Sequence, residues 1–196
     1  MATASGAGRV SEPPSTAFAA TGLRPLAIGP ADRPADPARG EHALLVAGIG
    51  DMVITDDPAA GLVAYGLGSC VALAAWDPAT MTAGLAHFML PSGTSGGGPV
   101  KFVDRGLPAF LAAFEARGGS IRRACFKVAG GAAMLAIHAS SLGIGRRNAE
   151  AVTAAMAARG LTFAATDLGG TVGRTVQLDA SDGRLHIRSV GRASVI

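Results

Sequence analysis

Val71-Ala72-Leu73-Ala74-Ala75-Trp76 is apolar at every position, with Gly66, Gly68 and Ser69 ahead of it and Asp77-Pro78 behind it. An unbroken apolar run that short, closed by turn formers at both ends, reads as a buried strand. Residues 83–90 form a second such run. A turn centred on Met81 joins the two as a hairpin, and about 3.3 Å of rise per residue along each strand brings His87 roughly opposite Cys70.

Further strand-like runs lie at 44–49, 61–67 and 85–90. They precede a helix predicted over 103–116, where Val103, Leu107, Phe110, Leu111 and Phe114 make an apolar stripe. Pro108 interrupts that stripe and marks either the first turn of the helix or a kink. A strand at 121–128 follows, then a glycine-rich turn and a short helix around 132–139. A second long helix runs from 146 to 159, with Ala149, Val152 and Met156 on one face and Gly160 as its stop. Three final strands are expected at 161–165, 171–178 and 184–190, the last two joined at Asp182-Gly183. This order predicts an α+β chain of packed mixed β-sheets flanked by helices.

The core has to be made of small side chains. Apolar residues are 49% of the chain but aromatics only 5%, among 28 glycines. Residues 1–40 differ in kind: six of the eleven prolines (Pro13, Pro14, Pro25, Pro30, Pro34, Pro37) sit there among Ser, Thr, Ala and Gly. Such a stretch buries too little to offset its chain entropy, so it is expected to be a disordered tail ahead of a domain over 41–196. The charge of +3, from 17 basic and 14 acidic residues, comes with no Lys/Arg run interleaved with aromatics, which argues against nucleic-acid binding. No apolar run reaches transmembrane length, so a cytoplasmic chain with reduced cysteines is expected.

The chemistry-bearing motif is Gly66-Leu67-Gly68-Ser69-Cys70, followed seventeen residues later by His87 in Ala86-His87-Phe88-Met89-Leu90-Pro91. A thiol attacks a carbonyl as thiolate, which calls for a base or a cation nearby, and histidine titrates near neutrality. Three small residues before Cys70 let the chain turn sharply and leave amides, that of Cys70 included, as donors for a tetrahedral oxyanion. The same pattern is also what an inert core thiol and a satisfied histidine look like, and both readings stand on residues alone. Cys125, in Ala124-Cys125-Phe126-Lys127-Val128, reads as a buried strand thiol. His42 falls in the entry to the domain, His138 on a helix and His186 on the outward side of a strand. Gly130-Gly131 and Gly169-Gly170 lack the P-loop and dinucleotide-binding spacings and read as tight turns. No His/Cys/Asp/Glu spacing fits a metal.

Taken with Lys127-Val128-Ala129-Gly130-Gly131-Ala132 and Met134, Ile144-Gly145-Arg146-Arg147-Asn148, and Asp167-Leu168-Gly169-Gly170 with Arg174, the chain resembles the CheD family of chemoreceptor glutamine deamidases over roughly residues 44–190. The resemblance implies that Cys70 is the nucleophile and His87 its general base. It implies an α/β sandwich similar to cytotoxic necrotizing factor-type cysteine deamidases, with no cofactor and no metal. Its implied partners are chemotaxis receptors as protein substrate and a CheC-like phosphatase. One departure stands out: the family's third catalytic member is a threonine six residues before the cysteine, and here that residue is Ala64. Another group would have to orient His87, a backbone carbonyl or a hydroxyl from elsewhere; sequence does not place Thr55 or Thr82, and the threonine's role is assigned to no residue. Arg174 and Asn148 would contact substrate or hold the cleft by hydrogen bonds. Ala64 also leaves open a second class of function, a catalytically weak adaptor that binds receptors or a CheC-like protein.

Overall fold

The computed structural model describes residues 43–94, 96–133 and 143–196. Two five-stranded sheets stack face to face. In the first, β1 (Leu44–Val46), β3 (Gly61–Leu67), β8 (Arg174–Asp179), β9 (Leu185–Ser189) and β10 (Arg192–Val195) lie in that order. In the second the order is β2 (Met52–Thr55), β5 (Thr82–Phe88), β4 (Val71–Asp77), β6 (Cys125–Gly130) and β7 (Ala165–Leu168). Both are mixed, because β1 pairs with β3 and β6 with β7 in parallel while the remaining neighbours are antiparallel. Among the described residues, the helices α1 (Val103–Ala116) and α2 (Ile144–Ala157) complete an α+β architecture.

The layering explains the hydrophobic pattern. The outer face of the second sheet packs Val71, Leu73, Phe88 and Val128 against Leu107, Phe110 and Phe114 of α1 and Val152 and Met156 of α2. Its inner face, with Ala72, Ala74, Ala83, Leu85 and Ala129, meets Leu62, Ala64, Leu67, Val176, Leu178 and Ile187 of the first sheet. A strand covered on both faces has no polar side, which is why β4 reads as an apolar run from Val71 to Trp76 and β5 is apolar from Ala83 onward except at His87. The first sheet buries one face, so β8 and β9 alternate. Alanines between the sheets let the two layers approach closely.

Several boundaries differ from expectation. Residues 121–123 form a turn, and β6 begins only at Cys125, because Asp77 captures the Ser120 amide at 2.8 Å and the Arg123 guanidinium at 2.6 Å. The strand expected at 161–165 is instead β7: the Leu161 amide still donates to Met156 in the helix ending, and pairing with β6 starts at Ala165. Pro108 is the sixth residue of α1, beyond its first turn, and leaves the carbonyl of exposed Asp104 to solvent. Strands β2 and β10 were not anticipated. The turn at Met81 is present, with Met81 at φ 57°. The expected tail over 1–40 and most of the short helix around 132–139 lie outside the described residues, as do His42 and His138. No helix among the described residues is long and apolar enough to cross a membrane.

Candidate active site

β3 ends in one sheet and β4 begins in the other, so residues 68–70 carry the chain across the sandwich. The crossing starts with a register irregularity between Ala64 and Leu67, where Gly66 takes φ 65°. The turn is then gripped by its neighbours. The Gly131 amide donates to the Cys70 carbonyl at 2.7 Å and the Ala132 amide to the Gly68 carbonyl at 2.9 Å. Fully buried Asn148 of α2 donates from Nδ2 to the carbonyls of Ser69, at 2.8 Å, and Met89, at 2.9 Å. Only glycine fits at 130, since its φ is 118° and a Cβ there would stand 2.3 Å from the Cys70 carbonyl oxygen. Among the described residues, the amides of Ser69 and Cys70 have no acceptor. Cys70 is half-buried at the edge of the inter-sheet core.

His87 faces Ala72 across the β4–β5 pair, so Cys70 lies two residues before its direct partner and on the same side. The expectation that the two would be directly opposite is thus displaced by one side-chain repeat. The ring is 1% exposed. Its Nδ1 stands 3.3 Å from the Ala47 carbonyl. A carbonyl only accepts, so Nδ1 carries the proton, and a neutral ring then has its lone pair on Nε2. Nε2 is buried and has no hydrogen-bond partner among the described residues, Cys70 included. The backbone of His87 is held by the same loop, donating to Asp51 at 3.0 Å and accepting from Gly50 at 2.9 Å.

Electrostatics here follow from burial. It pushes the Cys70 thiol up from its ordinary value. It pushes His87 down, partly opposed by the bond to Ala47. Both shifts favour the uncharged forms, a thiol and a neutral imidazole.

The position of the family threonine is occupied by Ala64, which is fully buried between the sheets. Thr55 and Thr82 do not replace it. The Thr55 hydroxyl accepts from the Asp57 amide and the Thr82 hydroxyl bonds that of Thr80, both at the end of β5 away from His87. The Ala47 carbonyl holds the ring instead. No side-chain motif could have revealed that residue, because it acts through its backbone.

Arg174 bonds the Asp167 carbonyl at 2.7 Å, the Asp167 carboxylate and the Gly169 carbonyl, which makes it a clamp on the link between β7 and β8. Gly130 ends β6 rather than forming a turn; Gly131 and Gly169-Gly170 follow the ends of β6 and β7, all four glycines have positive φ, and the Gly169 amide donates to the Gly130 carbonyl at 2.8 Å. Both cysteines are free. Cys125, half-buried rather than buried, pairs with Trp76 at the other end of β4 from Cys70, roughly 20 Å away at strand rise and far beyond disulfide reach. His186 is half-buried between core residues Leu185 and Ile187, as alternation predicts. Ile49, Tyr65 and Met89 are exposed. Among the described residues no cluster of His, Cys, Asp or Glu could hold a metal.

Residues 89–189 match the family described as CheD chemotactic sensory transduction. The chain is 42% identical over 158 residues to a probable chemoreceptor glutamine deamidase CheD of Symbiobacterium thermophilum, covering 78% of this chain and 96% of the relative. Proteins of the same name from Clostridium botulinum and Haloarcula marismortui are 36% and 35% identical, over 77% and 81% of this chain and 96% and 92% of theirs.

Proposed function

The chain belongs to the CheD family, and from that premise we propose that it is a protein-glutamine deamidase acting on chemotaxis receptors, with Cys70 as nucleophile and His87 as base. The observation that carries the residue assignment is the state of His87: Nδ1 is committed to the Ala47 carbonyl, which leaves an unpartnered Nε2 on the Cys70 side of the hairpin. The family match begins at Met89, two residues past His87, so this assignment rests on the geometry and the motif.

In this reading Nε2 takes the thiol proton as Sγ attacks the side-chain amide carbon of a receptor glutamine. The amides of Ser69 and Cys70 receive the oxyanion. The imidazolium gives its proton to the departing ammonia, leaving a thioester. Water, deprotonated by His87, cleaves the thioester; glutamate leaves and the thiol regains its proton. Nothing beyond the two side chains, backbone amides and water enters. The stacked sheets with helices on one side also support the cytotoxic necrotizing factor-type fold implied by the resemblance.

The test is ammonia release from a soluble receptor cytoplasmic fragment. Cys70→Ala is expected to abolish it, and His87→Ala to lower it by about 10²–10⁴-fold. Release that is the same in native chain and Cys70→Ala overturns the reading. Receptor binding without Cys70-dependent release would identify an adaptor instead.

A further inference from the structure

At the end of the sandwich that carries Cys70, the first sheet continues past the nucleophile turn. Leu67 pairs with Arg174, Arg174 with Ser189 and Ser189 with Arg192, one row across β3, β8, β9 and β10. Ser194, opposite Ile187, stands two residues along β10 from Arg192 and so on the same face. Asp167 and the turn at 170–172 close the other side, and a cavity of about 230 Å³ lies between them.

The charges in this cavity do not cancel. One carboxylate, Asp167, faces two guanidiniums. Arg174 is 8% exposed and its donors are engaged by Asp167 and Gly169. Arg192 reaches Asp167 at 3.2 Å but leaves 67% of its side chain exposed. The Ser194 hydroxyl oxygen is buried without a hydrogen-bond partner among the described residues. An unpaired buried hydroxyl costs free energy until something bonds it. Val172 and Val190, 44% and 88% exposed, make an apolar lip.

We propose that this cavity is a second subsite for the protein substrate and takes an acidic side chain, whose carboxylate bridges Arg192 and Ser194 while its methylenes lie on Val172 and Val190. A small free anion would leave the apolar lip unused, whereas a glutamate side chain uses both parts. The inference rests on the deamidase reading for what the partner is. Three strand spacings separate Leu67 from Arg192, so the acid would lie roughly 14 Å from the target glutamine.

The experiment measures affinity in a catalytically silent background, Cys70→Ala, for a soluble receptor fragment. A set of fragments has each acidic residue within about ten residues of the target glutamine, a range that covers an extended or a helical segment, changed singly to its amide. Adding Arg192→Gln is expected to weaken binding by about three- to tenfold, the size of one part-exposed charged hydrogen bond. Ser194→Ala, which leaves the Arg192–Asp167 pair intact, is expected to weaken it less and in the same direction. For one neutralised fragment both losses disappear. Equal affinities with and without the substitutions, or losses identical for every fragment, overturn the subsite. Failure of the deamidase reading shows up separately, as no Cys70-dependent ammonia release by the native chain.

Discussion

Burial starts the proposed reaction from two uncharged groups, because it raises the Cys70 thiol and lowers the His87 imidazole. The sign of each shift sets a pH signature. With His87 below its ordinary value near 6.5, kcat/KM for deamidation should stay flat as pH falls through about 6.5 and decline only below it. With the thiol above its ordinary value, iodoacetamide should label Cys70 more slowly at pH 7.5 in the native protein than in urea, since only thiolate reacts. Native labelling that is the faster of the two would mean a stabilised thiolate and an ion-paired resting state. Ala64 is a second residue-scale case. It is fully buried, and Nδ1 of the His87 ring, which a threonine would have to reach in order to orient it, already donates to Ala47. Ala64→Thr should therefore lower stability by about 1–3 kcal/mol through overpacking, with no gain in rate. Thermal melts and ammonia release measure the two halves; a several-fold gain in rate would show that the Ala47 carbonyl orients His87 poorly.

Which elements can be read from the chain depends on what buries them. β3, β4 and α1 are legible because their patterns are local consequences of burial: a run covered on both faces for β4, and a helical stripe beneath which Phe110 and Phe114 enter the core for α1. β10 is not, since Arg192–Val195 is a short, largely exposed edge that becomes a strand only by pairing with β9. The start of β6 is hidden for a similar reason, as Asp77, distant in sequence, decides it. At the site, Cys70 and His87 announce themselves by residue type, whereas the Ala47 carbonyl does not. Asn148 lies between these cases: its place in a recognisable block is legible but its job is not. It ties α2 to the turn before Cys70 and to the end of β5 through the carbonyls of Ser69 and Met89. Asn148→Ala removes both bonds, each contributing about 0.5–1.5 kcal/mol, and should lower the melting temperature and kcat together. A fall in stability with kcat intact would place Asn148 in the scaffold alone.

The whole molecule divides its labour between the two ends of the sandwich. At one end, chain crossings between sheets assemble Cys70, the end of β6 at Gly130-Gly131 and the Arg174 clamp. At the other, β4 and β5 close at Asp77, which is fully buried and bonded to the amides of Ala79 and Ser120 and to Arg123. Burial alone would raise this carboxylate, but the Arg123 hydrogen bonds and the two amides outweigh it and bring its pKa down to about 2. The unfolded value is about 3.9, so the folded form holds the proton less tightly. Its stabilising contribution is then fully present above about pH 4 and is lost as pH falls toward about 2. Asp77→Asn should remove that dependence, because an amide does not titrate and cannot pair with Arg123. Melting temperatures measured from pH 7 to pH 2 should show the variant below the native protein at neutral pH, with the gap closing through that acid window. Below its transition, ammonia release at pH 7 should be unchanged, as Asp77 lies the length of β4 from Cys70. A gap that persists undiminished at pH 2 would assign the contribution of Asp77 to packing and not to its charge.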